Sequence, residues 1–150
     1  MLKPGDRIPN FSGMCTDGRI ITSDDLKGKW TVLFFYPKAF TPGCTKEICN
    51  IRDGYGFLSK YDVNVLGVSK DDVETQKKFK ERYNFPYEMI ADENANVIKA
   101  FGVSGILGFA KRVTFIINPD GEIAYVIDKV KVSEHYRQII DALEKVLKPN

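Results

Sequence analysis

Two of the three cysteines in this 150-residue chain fall in one short stretch, Pro37-Lys-Ala-Phe-Thr41-Pro42-Gly43-Cys44-Thr45-Lys46-Glu47-Ile48-Cys49. Thr41 followed by Pro42 is a helix start: threonine is a favoured N-cap, and proline is tolerated at the first helical position. Cys44 then falls in the first turn, among backbone N–H groups with no intrahelical acceptor and at the positive end of the helix dipole. Both favour a thiolate, the nucleophilic form of cysteine, over a thiol. A buried, inert thiol is the competing reading, because free cysteines are commonly buried. The helix start and nearby Cys49 weigh against it here. Five residues along an intact helix separate Cα atoms by about 8–9 Å and turn the side chains about 140° apart. A disulfide rarely spans more than about 7 Å. Joining Cys44 to Cys49 therefore requires the first turns of the helix to unwind.

Other cysteine chemistries fail on spacing. There is no Cys-x-x-Cys, the mark of a plain disulfide reductase. Three cysteines and one histidine, widely spaced, do not make a four-ligand zinc site. A tyrosine-phosphatase loop needs an arginine six positions after its cysteine, and that position is Asn50. A papain-like site needs a histidine base. His135 is the single histidine, far along the sequence, and reads as a surface residue beside a helix cap. Glu47 reads as acidic capping chemistry near a helix start, with tuning of the cysteine as its alternative.

The elements that must hold this stretch follow from periodicity. Trp30 to Tyr36 is a continuous apolar run ending at Pro37, the pattern of a strand buried on both faces. From Pro42 to about Tyr61, Cys44, Ile48, Ile51, Tyr55 and Leu58 form one helical stripe, weakened by Gly54 and Gly56. That stripe turns Cys44 toward the core. Gly13 to Thr22 reads as a hairpin around a two-residue Asp17-Gly18 turn, with Cys15 buried in its strand. Ser23 to Leu26 offers one helical turn. Val63 to Ser69 is the next strand, and Asp71 or Asp72 caps a helix to about Tyr83. Tyr87 to Ala91 reads as a short strand, and Asp92-Glu-Asn-Ala-Asn starts a helix to Phe101. Gly102 to Ala110 reads as a mobile loop. Arg112 to Ile117 and Glu122 to Ile127 pair across an Asn118–Gly121 turn. Ser133 caps a last amphipathic helix. Helices falling between strands predict a three-layer α/β domain with a mixed central sheet, a single unit over residues 1–150.

Composition narrows the partners. Twenty-two basic against twenty acidic residues give a net charge of +2, too balanced for nucleic acid or an anionic membrane. The longest apolar run is far below the roughly 20 residues of a spanning helix. The first residues lack the layout of a signal peptide. A cytoplasmic setting follows, where thiols are kept reduced and cysteines are more often catalytic or inert than stapled.

With these residues in place, Pro37-x-x-x-Thr41-x-x-Cys44 resembles the active-site signature of the peroxiredoxins. Thr41-Pro-Gly-Cys-Thr-Lys-Glu-Ile-Cys49 resembles that of the bacterioferritin comigratory protein, or peroxiredoxin Q, subgroup. Gly67-Val-Ser69 with Asp71, Pro86 with Asp92-Glu-Asn94, and Thr114-Phe-Ile-Ile with Asp120-Gly121 resemble further stretches of that subgroup, in order along almost the whole chain. The resemblance implies a thioredoxin-like fold with a peroxiredoxin N-terminal hairpin, and a thiol peroxidase needing no cofactor or metal. It implies that Cys44 is the peroxidatic cysteine and Cys49 the resolving one. Pro37, Thr41 and Arg112 match the rest of the family's active-site set; read without it, Arg112 is a surface charge at a strand start. The implied substrates are hydrogen peroxide and organic hydroperoxides, and the implied reductant is a thioredoxin-like protein. Members of the subgroup are often monomeric, so a monomer is expected. Ile106, Leu107 and Phe109 suggest an apolar entrance, and Phe40 and Pro37 a closure over the pocket. Two rival functions are a general dithiol–disulfide oxidoreductase and a redox-sensing binding module.

Overall fold

A computed structural model describes residues 1–147, and within them a seven-stranded mixed sheet runs in the order β2-β1-β5-β4-β3-β6-β7. The strands are β1 (Ser12–Cys15), β2 (Ile20–Thr22), β3 (Thr31–Phe35), β4 (Asn64–Ser69), β5 (Glu88–Ala91), β6 (Val113–Ile117) and β7 (Ile123–Ile127). The helices are α1 (Pro42–Leu58), α2 (Val73–Tyr83), α3 (Asn96–Ala100) and α4 (His135–Leu147). β3 lies between β4, which it pairs in parallel, and β6, which it pairs antiparallel. Every residue of β3 is buried. The apolar run is continuous because both faces of this strand are covered.

The period of two along β3 sorts the core into two layers. Val32, Phe34 and Tyr36 face α1, α2 and α4, packing with Cys44, Ile48 and Ile51, with Phe79, and with Ile139 and Leu143. Leu33 and Phe35 face the other way, toward α3 and the N-terminal segment, with Val97, Ile98, Phe101 and Leu26. This is the expected three-layer α/β arrangement.

Local chemistry sets most of the boundaries. Asp72 caps α2, accepting the Thr75 N–H at 2.7 Å. Asp92 reaches forward to accept the Val97 and Ile98 N–H groups at 3.1 and 2.8 Å, which starts α3. The predicted glycine weakness in α1 does not break it. A Cβ on Gly54 would lie 2.2 Å from Tyr136 Cγ, so the bare backbone there lets α1 and α4 approach.

Three expectations change. The hairpin has a three-residue loop: Met14 pairs Ile20, Cys15 N–H donates to the Arg19 carbonyl, and Gly18 takes φ +88°. A three-residue loop with a left-handed glycine is the next hairpin solution after the two-residue turn. The last helix is capped from outside itself. Asn50 Oδ1, on α1, accepts the Tyr136 N–H at 2.9 Å, and Asn50 Nδ2 donates to the Ser133 carbonyl at 2.9 Å. Ser133 thus offers its backbone, and a side chain on α1 does the capping. The Gly102–Ala110 segment is anchored by buried Val103 and Ala110 and pinched by a Ser104–Ala110 bridge around a short 3₁₀ turn, Ile106–Gly108, whose Ile106 and Leu107 are exposed.

Candidate active site

The end of β3 and the start of α1 are held from behind by a buried polar network. The Tyr36 hydroxyl donates to Gln76 Oε1 at 2.5 Å, and Gln76 Nε2 donates to Ser69 Oγ at 2.8 Å. Ser69 Oγ donates to Asp71 Oδ2 at 2.6 Å, and the same carboxylate oxygen accepts the Ala39 N–H at 2.8 Å. Tyr36 is fully buried, and that burial pushes its phenol well above the ordinary range, so it acts as a neutral donor. The loop 37–41 is therefore pinned at Ala39 by Asp71, which stands just before the Asp72 cap of α2. Phe40 follows with φ +64°, a conformation that costs a non-glycine residue energy. Its ring packs against Phe79 and Tyr83 of α2.

Thr41 stands at the N-cap of α1 and Pro42 opens the helix, as predicted. The threonine hydroxyl does not cap, however. It donates to the Lys38 carbonyl at 2.7 Å. Its own proton is thereby engaged and its lone pairs remain available to accept. The first intrahelical bond runs from Thr45 N–H to the Thr41 carbonyl at 2.8 Å. The amides of Gly43 and Cys44 precede it and are the helix's unpaired donors. Cys44 is buried beneath this turn.

Arg112 reaches the same turn from the residue before β6. Its guanidinium is ion-paired through Nη1 to Glu47 Oε1, and a Cβ on Gly43 would lie 3.3 Å from its Nη2. Burial works against the arginine's charge, but the Glu47 carboxylate and the Cys44 sulfur together hold its pKa above the usual value. The surface-charge reading of Arg112 is thus replaced by a half-buried cation facing the cysteine-bearing turn. Glu47 lies in the second turn of α1, wholly buried, and is no capping residue. His135 is also wholly buried, contrary to its reading as a surface group. Its Nδ1 lies 2.7 Å from Glu47 Oε2 and its Nε2 2.7 Å from Thr114 Oγ1. Both residues carried a signal in the sequence. Glu47 falls three after Cys44 and four before Ile51, on the buried stripe, and His135 falls four before Ile139 on the stripe of α4.

Cys49 is half-buried on α1, and burial raises its thiol pKa. All three cysteines are free, and the helix between Cys44 and Cys49 is intact. The neighbouring backbone is tied down, since the Tyr87 hydroxyl donates to the Ile48 carbonyl at 2.6 Å. Cys15 lies apart on β1, paired with Ile90 of β5. Pro37 lines a cleft of about 510 Å³ with Lys38, Gly105, Ile106, Phe109, Ala110 and Lys111. Ile106 and Phe109 line this cleft, Ile106 as an exposed rim residue. Leu107 projects into solvent, 81% exposed, and does not line the cleft.

Comparison with known proteins bears on the family and the fold. The model of the AhpC/TSA family matches residues 4–126. The chain is 39% identical to a putative peroxiredoxin bcp of Coxiella burnetii, covering 95% of this chain and 99% of that one. It is 36% identical to peroxiredoxin Bcp of Escherichia coli, covering 96% and 97%. Among solved structures, peroxidoxin BcpB of Mycobacterium tuberculosis superposes with a TM-score of 0.88 at 34% identity, over 97% of this chain and 99% of that one. A cysteine-to-serine variant of Xylella fastidiosa PrxQ gives 0.91 at 27% identity, over 99% of both chains. Among the described residues no helix is long and apolar enough to cross a membrane.

Proposed function

The chain belongs to the AhpC/TSA family and is a peroxiredoxin, a thiol peroxidase, and from that premise we propose that Cys44 is its peroxidatic cysteine and Cys49 its resolving one. The observation that carries this reading is the Arg112 guanidinium, held by Glu47 against the helical turn that bears Cys44. The helix N-terminus and this fixed cation set positive charge beside the attacking sulfur. The thiolate sulfur attacks one peroxide oxygen and the O–O bond breaks. Its electron pair passes to the departing oxygen, which takes a proton and leaves as water or an alcohol. Charge moves from sulfur to oxygen along this path, so donors fixed around both stabilise the transition state. Arg112 and the first-turn amides of α1 supply them. Thr41, its own proton engaged by the Lys38 carbonyl, accepts a hydrogen bond from the O–H of the bound hydroperoxide and orients it. Pro37 brings neither donor nor charge and closes the pocket wall toward the apolar cleft.

The product is a sulfenic acid on Cys44. The Cys49 sulfur then attacks it, water departs, and a disulfide protects Cys44 from further oxidation. Burial keeps Cys49 protonated in the intact helix, so unwinding serves twice. It brings the sulfurs within bonding distance and returns Cys49 to water, where it ionises more readily. A thioredoxin-like dithiol exchanges with the disulfide and restores both thiols. The apolar cleft beside Pro37 favours organic hydroperoxides as well as hydrogen peroxide. The protein acts as a single-domain, cytoplasmic monomer.

One equivalent of hydrogen peroxide added to reduced protein tests the cysteine assignment. Two thiols should vanish, with an intact-mass loss of two hydrogens, and Cys49→Ser should stop at a sulfenic acid. An intramolecular disulfide in Cys49→Ser would assign resolution to Cys15 and overturn the proposal.

A further inference from the structure

The part of this site that the reaction scheme leaves unused is the far side of Glu47. Its carboxylate is completely buried, and its two oxygens are divided. Oε1 holds Arg112, and Oε2 faces His135 Nδ1 at 2.7 Å. Nδ1 is the imidazole atom placed to donate to this oxygen. Neither atom has another hydrogen-bond partner. His135 is thus the polar side chain that meets that side of the carboxylate among the described residues. It is fixed in turn by Thr114 Oγ1 of β6 at Nε2 and by the edge-on ring of Phe34 of β3. Three secondary-structure elements thus converge on one imidazole that touches no reacting atom.

We infer that His135 is a positioning residue for the peroxidase reaction, acting through Glu47 to aim Arg112 at Cys44. The inference rests on the role proposed above for Arg112. The physical reason is that a carboxylate held at one end swings about its terminal side-chain torsion, a broad and shallow one. With Oε1 paired to Arg112 and Oε2 in contact with the imidazole at 2.7 Å, rotation of the Glu47 carboxylate is confined, and with it the direction in which the Arg112 fork presents its remaining N–H groups. Small misplacements of a transition-state donor carry large rate costs. The chemical steps are unchanged, and His135 neither gives nor takes a proton in them.

The test is a comparison of peroxide rates in wild type, His135→Phe and His135→Gln, each also in an Arg112→Ala background. Phenylalanine keeps the packing against Phe34 and loses the donor. Glutamine keeps a donor. His135→Phe should slow the second-order rate about tenfold or more, and His135→Gln should recover most of it. In the Arg112→Ala background the His135→Phe cost should disappear, because there is no longer an arginine to aim. Equal rates for the Phe and Gln variants, or the same cost with and without Arg112, would reduce His135 to core packing and overturn the inference. If Arg112→Ala itself is as fast as wild type, it is the proposed role of Arg112 that has failed. Should His135→Phe not fold, the single histidine of the chain decides by spectroscopy. Its imidazole nitrogen resonances should move between wild type and Arg112→Ala, and unmoved resonances contradict the coupling.

Discussion

Arg112 brings to the first turn of α1 a permanent charge and a planar fork of donors, which is what a departing peroxide oxygen requires. Removing it should be read in the rate. Arg112→Ala is expected to lower the second-order rate with hydrogen peroxide by about 10²–10³-fold, the usual cost of a preorganised transition-state donor. Arg112→Lys, which keeps the charge and loses the fork, should fall between. A stopped-flow rate unchanged in Arg112→Ala contradicts the assignment. Cys15 makes the opposite case, a thiol held silent by its surroundings. Burial, with Glu88 and Asp17 adding to it, pushes its pKa from 9.0 up to about 11. Between those values the unfolded chain has released this proton and the folded protein retains it. Stability therefore falls as pH rises through that window. The urea midpoint should decline from pH 9 to 11 in wild type, and less steeply in Cys15→Ala. An identical decline in both would remove Cys15 from the account.

At the scale of elements, α1 is tied to its neighbours at the segment that must unwind. The Ile48 carbonyl is bonded to Tyr87, and Asn50, next to Cys49, caps α4 through the Tyr136 N–H. Unwinding that reaches Asn50 strips α4 of its cap, so the cap stabilises the reduced state selectively. Replacing a capping asparagine with alanine typically costs about 1 kcal/mol. Asn50→Ala should thus destabilise the reduced protein by about that much and the oxidised protein by less. The Cys44–Cys49 couple should move more negative by up to about 20 mV, given 30 mV per 1.4 kcal/mol for two electrons. Thermal melts of both states and a redox titration check this. Equal losses in the two states, with no change in potential, mean that unwinding stops short of Asn50.

Across the whole molecule, what was legible in the sequence was what repeats locally. The apolar run of β3, the stripe of α1 and the turn residues of the last hairpin each announce themselves within a few positions, and together they imply a layered α/β fold. The cysteine pair and the helix start at Thr41-Pro42 are local in the same way. What the sequence hid is the long-range pairing of polar groups. Glu47 and His135 meet across the layer of helices, and nothing near either residue names the other. Each falls on an apolar stripe, which told that it was buried but not with what. The Asp71 contact with Ala39, and Asn50 reaching over to cap α4, are hidden for the same reason: a side chain serves a backbone far away in sequence. These long-range ties hold the active loop from behind and join the front of α1 to the rest of the protein. The central claim is that this helix is both the active site and the part that moves. Amide hydrogen exchange of α1, compared between reduced protein and protein oxidised by one equivalent of hydrogen peroxide, tests it most directly. Exchange at residues 44–49 should accelerate by orders of magnitude on oxidation while the amides of β3 stay protected. Unchanged protection of those residues in protein that carries a mapped Cys44–Cys49 disulfide would contradict it.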